Sequence, residues 1–168
     1  RDLGHDYVPS LEARLEESSR ITVKTPWDVI NDITDGGLGA GELGVVVAPA
    51  GIGKSWTLQA LGASVIREKK TVVHYTLELN ETYVGLRYDS IFSGITTSNI
   101  KYYKDEVSKK LFDLNGKLLI KYFPTKAASV QTLGSHLKQI ELSGTKVDMV
   151  IVDYADILMP TGNFKEKR

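Results

Sequence analysis

Residues 48–55 read Ala-Pro-Ala-Gly-Ile-Gly-Lys-Ser, and their types and spacing suit one task, holding a polyphosphate. Gly51 and Gly53 can take backbone angles closed to other residues and bring the main chain up to an anion with no Cβ in the way. The apolar run before the loop, and Leu58, Leu61 and Val65 after it, predict a buried strand over 43–48 and a helix over 53–68. A loop that leaves a strand and opens a helix aims successive N–H groups and the positive helix end at one spot. Lys54 is then placed to reach the β- and γ-phosphates as a point charge, and the Ser55 hydroxyl to ligate Mg²⁺. The cradle comprises Ala48, Pro49, Ala50, Gly51, Ile52, Gly53, Lys54 and Ser55, with Trp56 directly behind it. A chance match to Ala or Gly, four residues, then Gly-Lys-Ser or Gly-Lys-Thr is expected on the order of once in a hundred chains of this length, so a nucleoside triphosphate is the better reading.

Many kinases and NTPases use such a loop, so the carboxylates must discriminate. Asp153 ends the apolar run Met149-Val150-Ile151-Val152, at the sheet edge where open α/β folds collect ligands. It is the candidate metal acid, holding Mg²⁺ directly or through water, with Asp156 a weaker substitute. Glu78 directly follows the run 71–77 and should project at the same edge, where an attacking water needs a base or an orienting acceptor. The plain alternatives are an aspartate that caps a turn and a glutamate solvated ahead of a helix, and Glu81 reads as the latter kind.

These residues need strands and helices in alternation, and the sequence supplies them. Strands are expected at 71–77, 117–123 and 147–154, and helices at 80–92 capped by Asn80, at about 105–114, and at 130–142 ahead of Gly144. Two short helices precede the cradle. One starts at Ser10 with Leu11 and Leu15 on one side; the other has Thr25 as cap and Pro26 in the first position. Residues 35–44 should be loop. The result is an α/β chain with a mostly parallel sheet and helices on both faces, in which 43–48 and 147–153 are apolar enough to be central strands.

The 168 residues, 42% hydrophobic and 25% charged, can bury one core. Lys plus Arg equals Asp plus Glu at 21 each, which leaves no global field to attract a polyanion. With no cysteine there is neither a disulfide framework nor a thiolate metal site, which fits a reducing, cytoplasmic setting. No apolar run approaches the roughly 18 residues of a membrane span, so no membrane partner is expected. Arg1 at the start, and the charged run 165–168 after a strong strand, suggest a piece of a longer polypeptide.

The stretches 36–55, 74–81 and 149–158, in this order and spacing, resemble the ATPase domain of DnaB-like hexameric replicative helicases, with its RecA-like P-loop core; the likeness runs from about Ile21 to Pro160. The segment 4–17 is similar to that preceding the ATPase domain in T-even-like bacteriophage helicases. The resemblance implies a linker segment at 1–20, whose helix packs on the adjacent subunit, and an ATPase domain at 21–168 lacking its C-terminal part. It implies that Glu78 polarises the hydrolytic water, while Lys54, Ser55 and Asp153 serve as phosphate lysine, magnesium hydroxyl and magnesium aspartate. It further implies ATP and Mg²⁺ as cofactors, a hexameric homo-oligomer, single-stranded DNA as track, and a primase or helicase loader as partner. In that family the DNA loops, the phosphate sensor and the arginine given to a neighbour's ATP follow the Asp-bearing strand, so this chain alone should hydrolyse slowly.

Other residues invite plainer readings. His74 suits core packing, Trp56 packing against the strands, Arg87 a solvated helix face and 164–168 a charged loop. Rival functions are a recombinase or switch ATPase on the same core, and an assembly module whose nucleotide only fixes subunit contacts.

Overall fold

The computed structural model describes residues 6–16, 20–155 and 158–159. In chain order the elements are α1 (Leu11–Glu16), β1 (Thr22–Val23), α2 (Asp28–Ile33), β2 (Leu38–Gly39), α3 (Lys54–Arg67) and β3 (Thr71–Thr76). There follow α4 (Glu81–Ser93), a 3₁₀ turn (Ile100–Tyr102), α5 (Lys104–Phe112), β4 (Lys117–Tyr122), α6 (Val130–Leu142) and β5 (Met149–Asp153).

The β-branched and aromatic run of β3 is buried along nearly its whole length, because it is the middle strand of a parallel sheet ordered β4-β3-β5. His74 lies level with Ile120 on one side and Ile151 on the other, and Thr76 with Tyr122 and Asp153. Alternation then separates two cores. Val72 and Ile151 pack under Ala63, Val65 and Ile66 of α3 and Val84 and Tyr88 of α4. Val73, Tyr75 and Leu77 face the other way, against Leu133, Leu137 and Ile140 of α6. The expected α/β layering with helices on both faces is therefore present. Asn80 caps α4 as the sequence suggests, its side chain accepting from Tyr83 N at 3.0 Å, and the structure adds a reciprocal capping box of Ser129 and Thr132 at α6.

Four expectations need correction. The run 43–48 forms no strand: Leu43, Val45 and Val47 are 88%, 72% and 87% exposed. A strand exists through its neighbour, and among the described residues the sheet stops at β5, so this β-prone run has no ladder to join. For the same reason β5 is an edge strand rather than a central one, with Val150 41% exposed. The second short helix begins at Asp28 with Trp27 in the cap position; the Thr25 hydroxyl instead accepts from Trp27 N at 3.2 Å, and Pro26 lies in a bend. Within the stretch assigned to loop, Leu38–Gly39 pairs antiparallel with Thr22–Val23.

Arg20 ties this small ladder together. Its guanidinium forms a two-pronged ion pair with Glu42 and also donates to the carbonyls of Thr34, Asp35 and Gly37. The Arg20 bonds, then the Gly39 N–H, hold the Glu42 carboxyl down at about 2.

Buried His74 makes fold stability pH-dependent. Desolvation lowers its pKa from 6.5 to about 4, so between those values the unfolded chain binds the extra proton and acid favours unfolding. Stability complete above pH 6.5 is lost as pH falls toward 4. Urea unfolding at pH 7 and pH 4.5 should differ by about 2 to 3 kcal/mol from this residue, and His74→Phe should remove that part of the difference.

Candidate nucleotide-binding site

The cradle is built around the start of α3. Gly53 occupies the cap position in the left-handed region at φ 104°, and among the described residues no side chain caps the first-turn N–H groups. Gly51 sits at φ 80°, and a Cβ added to either glycine would meet nothing within 4 Å, so the space before the loop is open to a ligand. Uncapped donors, an open approach and the positive helix end together make a place for phosphate oxygens. Lys54 Nζ donates to the carbonyl of Ala48 at 2.6 Å, closing the loop on its own lysine. A phosphate entering the cradle competes for that ammonium.

Packing brings the carboxylates to the same end. Ile151 and Asp153 share a face of β5, and a Cβ on Gly62 would lie 2.9 Å from Ile151 Cδ1, which sets α3 directly over that face. Ser55 lies seven residues before Gly62, about 10 Å of helix, toward the end at which β5 finishes. Asp153 is 7% exposed and its backbone carbonyl accepts from Leu77 N at 2.9 Å, which seats the ends of β3 and β5 side by side. Glu78 is the next residue, exposed to solvent at that sheet end. The start of α3, Glu78 and Asp153 thus lie toward one end of the sheet, on three different segments.

A magnesium ion fits the oxygen donors here. The Asp153 carboxylate has no hydrogen bond or ion pair among the described residues, and Ser55 stands in the first turn of α3. No group of three His, Cys, Asp or Glu able to hold a metal occurs among the described residues.

Two residues depart from their expected surroundings. Trp56 is 41% exposed rather than packed on the strands, and the Arg87 guanidinium stands over its ring, 5.3 Å from the centroid. Nothing in the sequence marks that pairing, since the two residues lie on different helices. Glu81 accepts from Tyr122 N at 3.0 Å, pinning the start of α4 to β4. His74 lies in the core as expected, with Nδ1 2.9 Å from the Tyr88 hydroxyl. Burial first, and the Asp153 charge second, raise the pKa of that phenol. Gly62 carried one signal that could have been read: a glycine inside a helix costs about 1 kcal/mol and asks for a packing reason. Asp156 and 164–168 lie outside the described residues.

A glycine loop opening a helix, level with acidic residues at the ends of parallel strands, defines a P-loop nucleotide-binding core of the α/β class. Residues 22–168 match the DnaB-like helicase C-terminal domain, and the chain belongs to that family. It is 30% identical over 166 residues to the DnaB-like replicative helicase of Enterobacteria phage T4, covering 92% of this chain and 35% of that protein. The chain thus spans about a third of that curated relative. Two solved structures share the fold at a TM-score of 0.71. A DnaB-like replicative helicase studied with its interactions with primase is 18% identical, over 98% of this chain and 42% of that one. The second, an ATPase domain, is 15% identical, over 99% of this chain and 62% of that one.

With Trp27→Phe as background, Trp56 reports on the cradle. ADP should change its emission, and Lys54→Ala should weaken that titration by at least about tenfold, the loss expected for a charge-assisted phosphate contact. Arg87→Ala should shift the emission of the free protein.

Proposed function

We propose that the chain is the ATP-binding and hydrolysing motor domain of a replicative DNA helicase, in which MgATP hydrolysis drives translocation on single-stranded DNA and strand separation. The observation that carries this is the common sheet edge shared by the α3 cradle, Glu78 and Asp153, in a chain of the DnaB-like family. Lys54 would hold the β- and γ-phosphates, Ser55 and Asp153 the magnesium ion, and Glu78 the hydrolytic water. Exposure suits Glu78 to that task, since it meets solvent where a water must enter.

Residues 1–20 act as a linker segment and 21–168 as the ATPase domain in this reading. In an oligomer, a hexamer by the family resemblance, α1 of one copy lies on the next. Tyr7, Val8 and Leu11 are 73%, 78% and 54% exposed beside the acidic Glu12. A cleft of about 420 Å³ between α4 and α5 offers Ile100, Val107 and Leu111 with Lys101 and Lys104 at its rim, the complementary chemistry. A primase or helicase loader is the further partner, as one solved relative is described with primase. No helix among the described residues is long and apolar enough to cross a membrane.

Glu78→Gln separates the readings. It should leave ADP affinity within about threefold while lowering ATP hydrolysis on the order of a hundredfold, measured for the chain with and without single-stranded DNA. An assembly module that merely binds nucleotide would show no difference between wild type and variant.

A further inference from the structure

A cation that is held in place while all its donors stay free asks for an explanation. Arg87, in the second turn of α4, is part-buried, and its guanidinium stands over the Trp56 ring, 5.3 Å from the centroid. Among the described residues it forms no hydrogen bond and no ion pair. Contact with a ring face engages the charge and leaves the N–H groups in the guanidinium plane open, so Trp56 fixes the position and occupies none of the five donors.

The seam between α3 and α4 shows where those donors lie. Val84 and Tyr88 are buried against Ala63 and Ile66 of α3. The Tyr88 hydroxyl reaches α3 at Gly62, where a Cβ would stand 2.4 Å from it. Its chain neighbour Arg87 reaches Trp56 instead, six residues, or about 9 Å of helix, nearer the start of α3. Trp56 directly follows Ser55, with Cα atoms about 3.8 Å apart. The helix that carries Arg87 begins three residues after Glu78. The guanidinium is thereby brought to the cradle end of the seam, on the flank that Glu78 leads into.

A phosphate matches such a fork, because a planar guanidinium can meet two oxygens of one phosphate at once. Lys54, by contrast, offers a point charge, and in this state its Nζ donates to the Ala48 carbonyl at 2.6 Å. We propose that Arg87 is a specificity-determining residue of the nucleotide site: Trp56 holds its guanidinium beside the cradle, and the terminal phosphate of a nucleoside triphosphate takes up the free donors. A diphosphate, one phosphate shorter, leaves the pair as it stands. This rests on the nucleotide-site reading above and goes beyond it by assigning α4 a side chain that tells triphosphate from diphosphate.

The test measures the affinities of the imido analogue of ATP and of ADP, each with Mg²⁺, by calorimetry on the 168-residue chain carrying Trp27→Phe, with Trp56 emission followed in parallel. Arg87→Ala should weaken the analogue about tenfold, the loss expected for a charge-assisted phosphate contact, and leave ADP within twofold. Arg87→Gln is the second variant, since it keeps an apolar stem beside the ring and removes only the charge; it should show the same selective loss. In the wild type the analogue should change Trp56 emission more than ADP does, and in Arg87→Gln the two changes should be alike. Affinities within twofold of wild type for both nucleotides, or an equal loss for both, overturn the proposal while the site itself stands. A wild-type chain that binds neither nucleotide overturns the nucleotide-site reading, and the role of Arg87 falls with it.

Discussion

A parallel ladder fixes where its strands stop, and the site depends on that. β3 is bonded on both sides, so the end of the sheet is defined by the level at which Thr76 meets Tyr122 and Asp153. Two backbone bonds extend the agreement past the strands, Leu77 N to the Asp153 carbonyl at 2.9 Å and Phe123 N to the Thr76 carbonyl at 3.0 Å. A slip of one residue in β5 would turn Asp153 to the α6 side of the sheet and leave the cradle without its carboxylate. The helix that carries Lys54 and Ser55 is held to the same face by Ala63, Val65 and Ile66, so cradle and acid are referenced to one rigid surface.

That surface is not optimised for stability alone. Burying an amide or imidazole atom without a partner costs about 1 to 3 kcal/mol, a noticeable share of the roughly 5 to 15 kcal/mol that holds a typical domain together. Gln59 and His74 carry three such atoms in the layer between α3 and the sheet, while the α6 core, built from Val73, Leu77, Ala128 and Leu133, has none among the described residues. The asymmetry is one of pairing: the α6 face also buries a polar group, the Tyr75 hydroxyl, but meets it with His136 Nδ1 at 2.9 Å.

Much of this was legible beforehand, for identifiable reasons. α3, β3, α4, β4 and α6 were recognisable because each has its own apolar period and an end signal such as Asn80, Pro124 or Gly144. The cradle was legible because its glycines and lysine act locally, through φ and reach. The run 43–48 misled because composition records a preference for pairing and not the presence of a partner; the same blindness made β5 look central. Tyr88, Gln59 and the Trp56–Arg87 stack depend on how helices lie across strands, which no single segment encodes. Arg20 was passed over for the same reason, its acceptors being spread over residues 34 to 42.

That arginine has a mechanical meaning. It stands where the chain leaving α1 enters the domain, and it grips one loop through three carbonyls and one carboxylate. Thr22, two residues further on, offers its carbonyl to Lys70 Nζ at 3.0 Å, at the turn joining α3 to β3. A pull on the chain at Arg20 is consequently spread over residues 34 to 42 and, through Thr22 and Lys70, over the turn at the far end of the cradle helix.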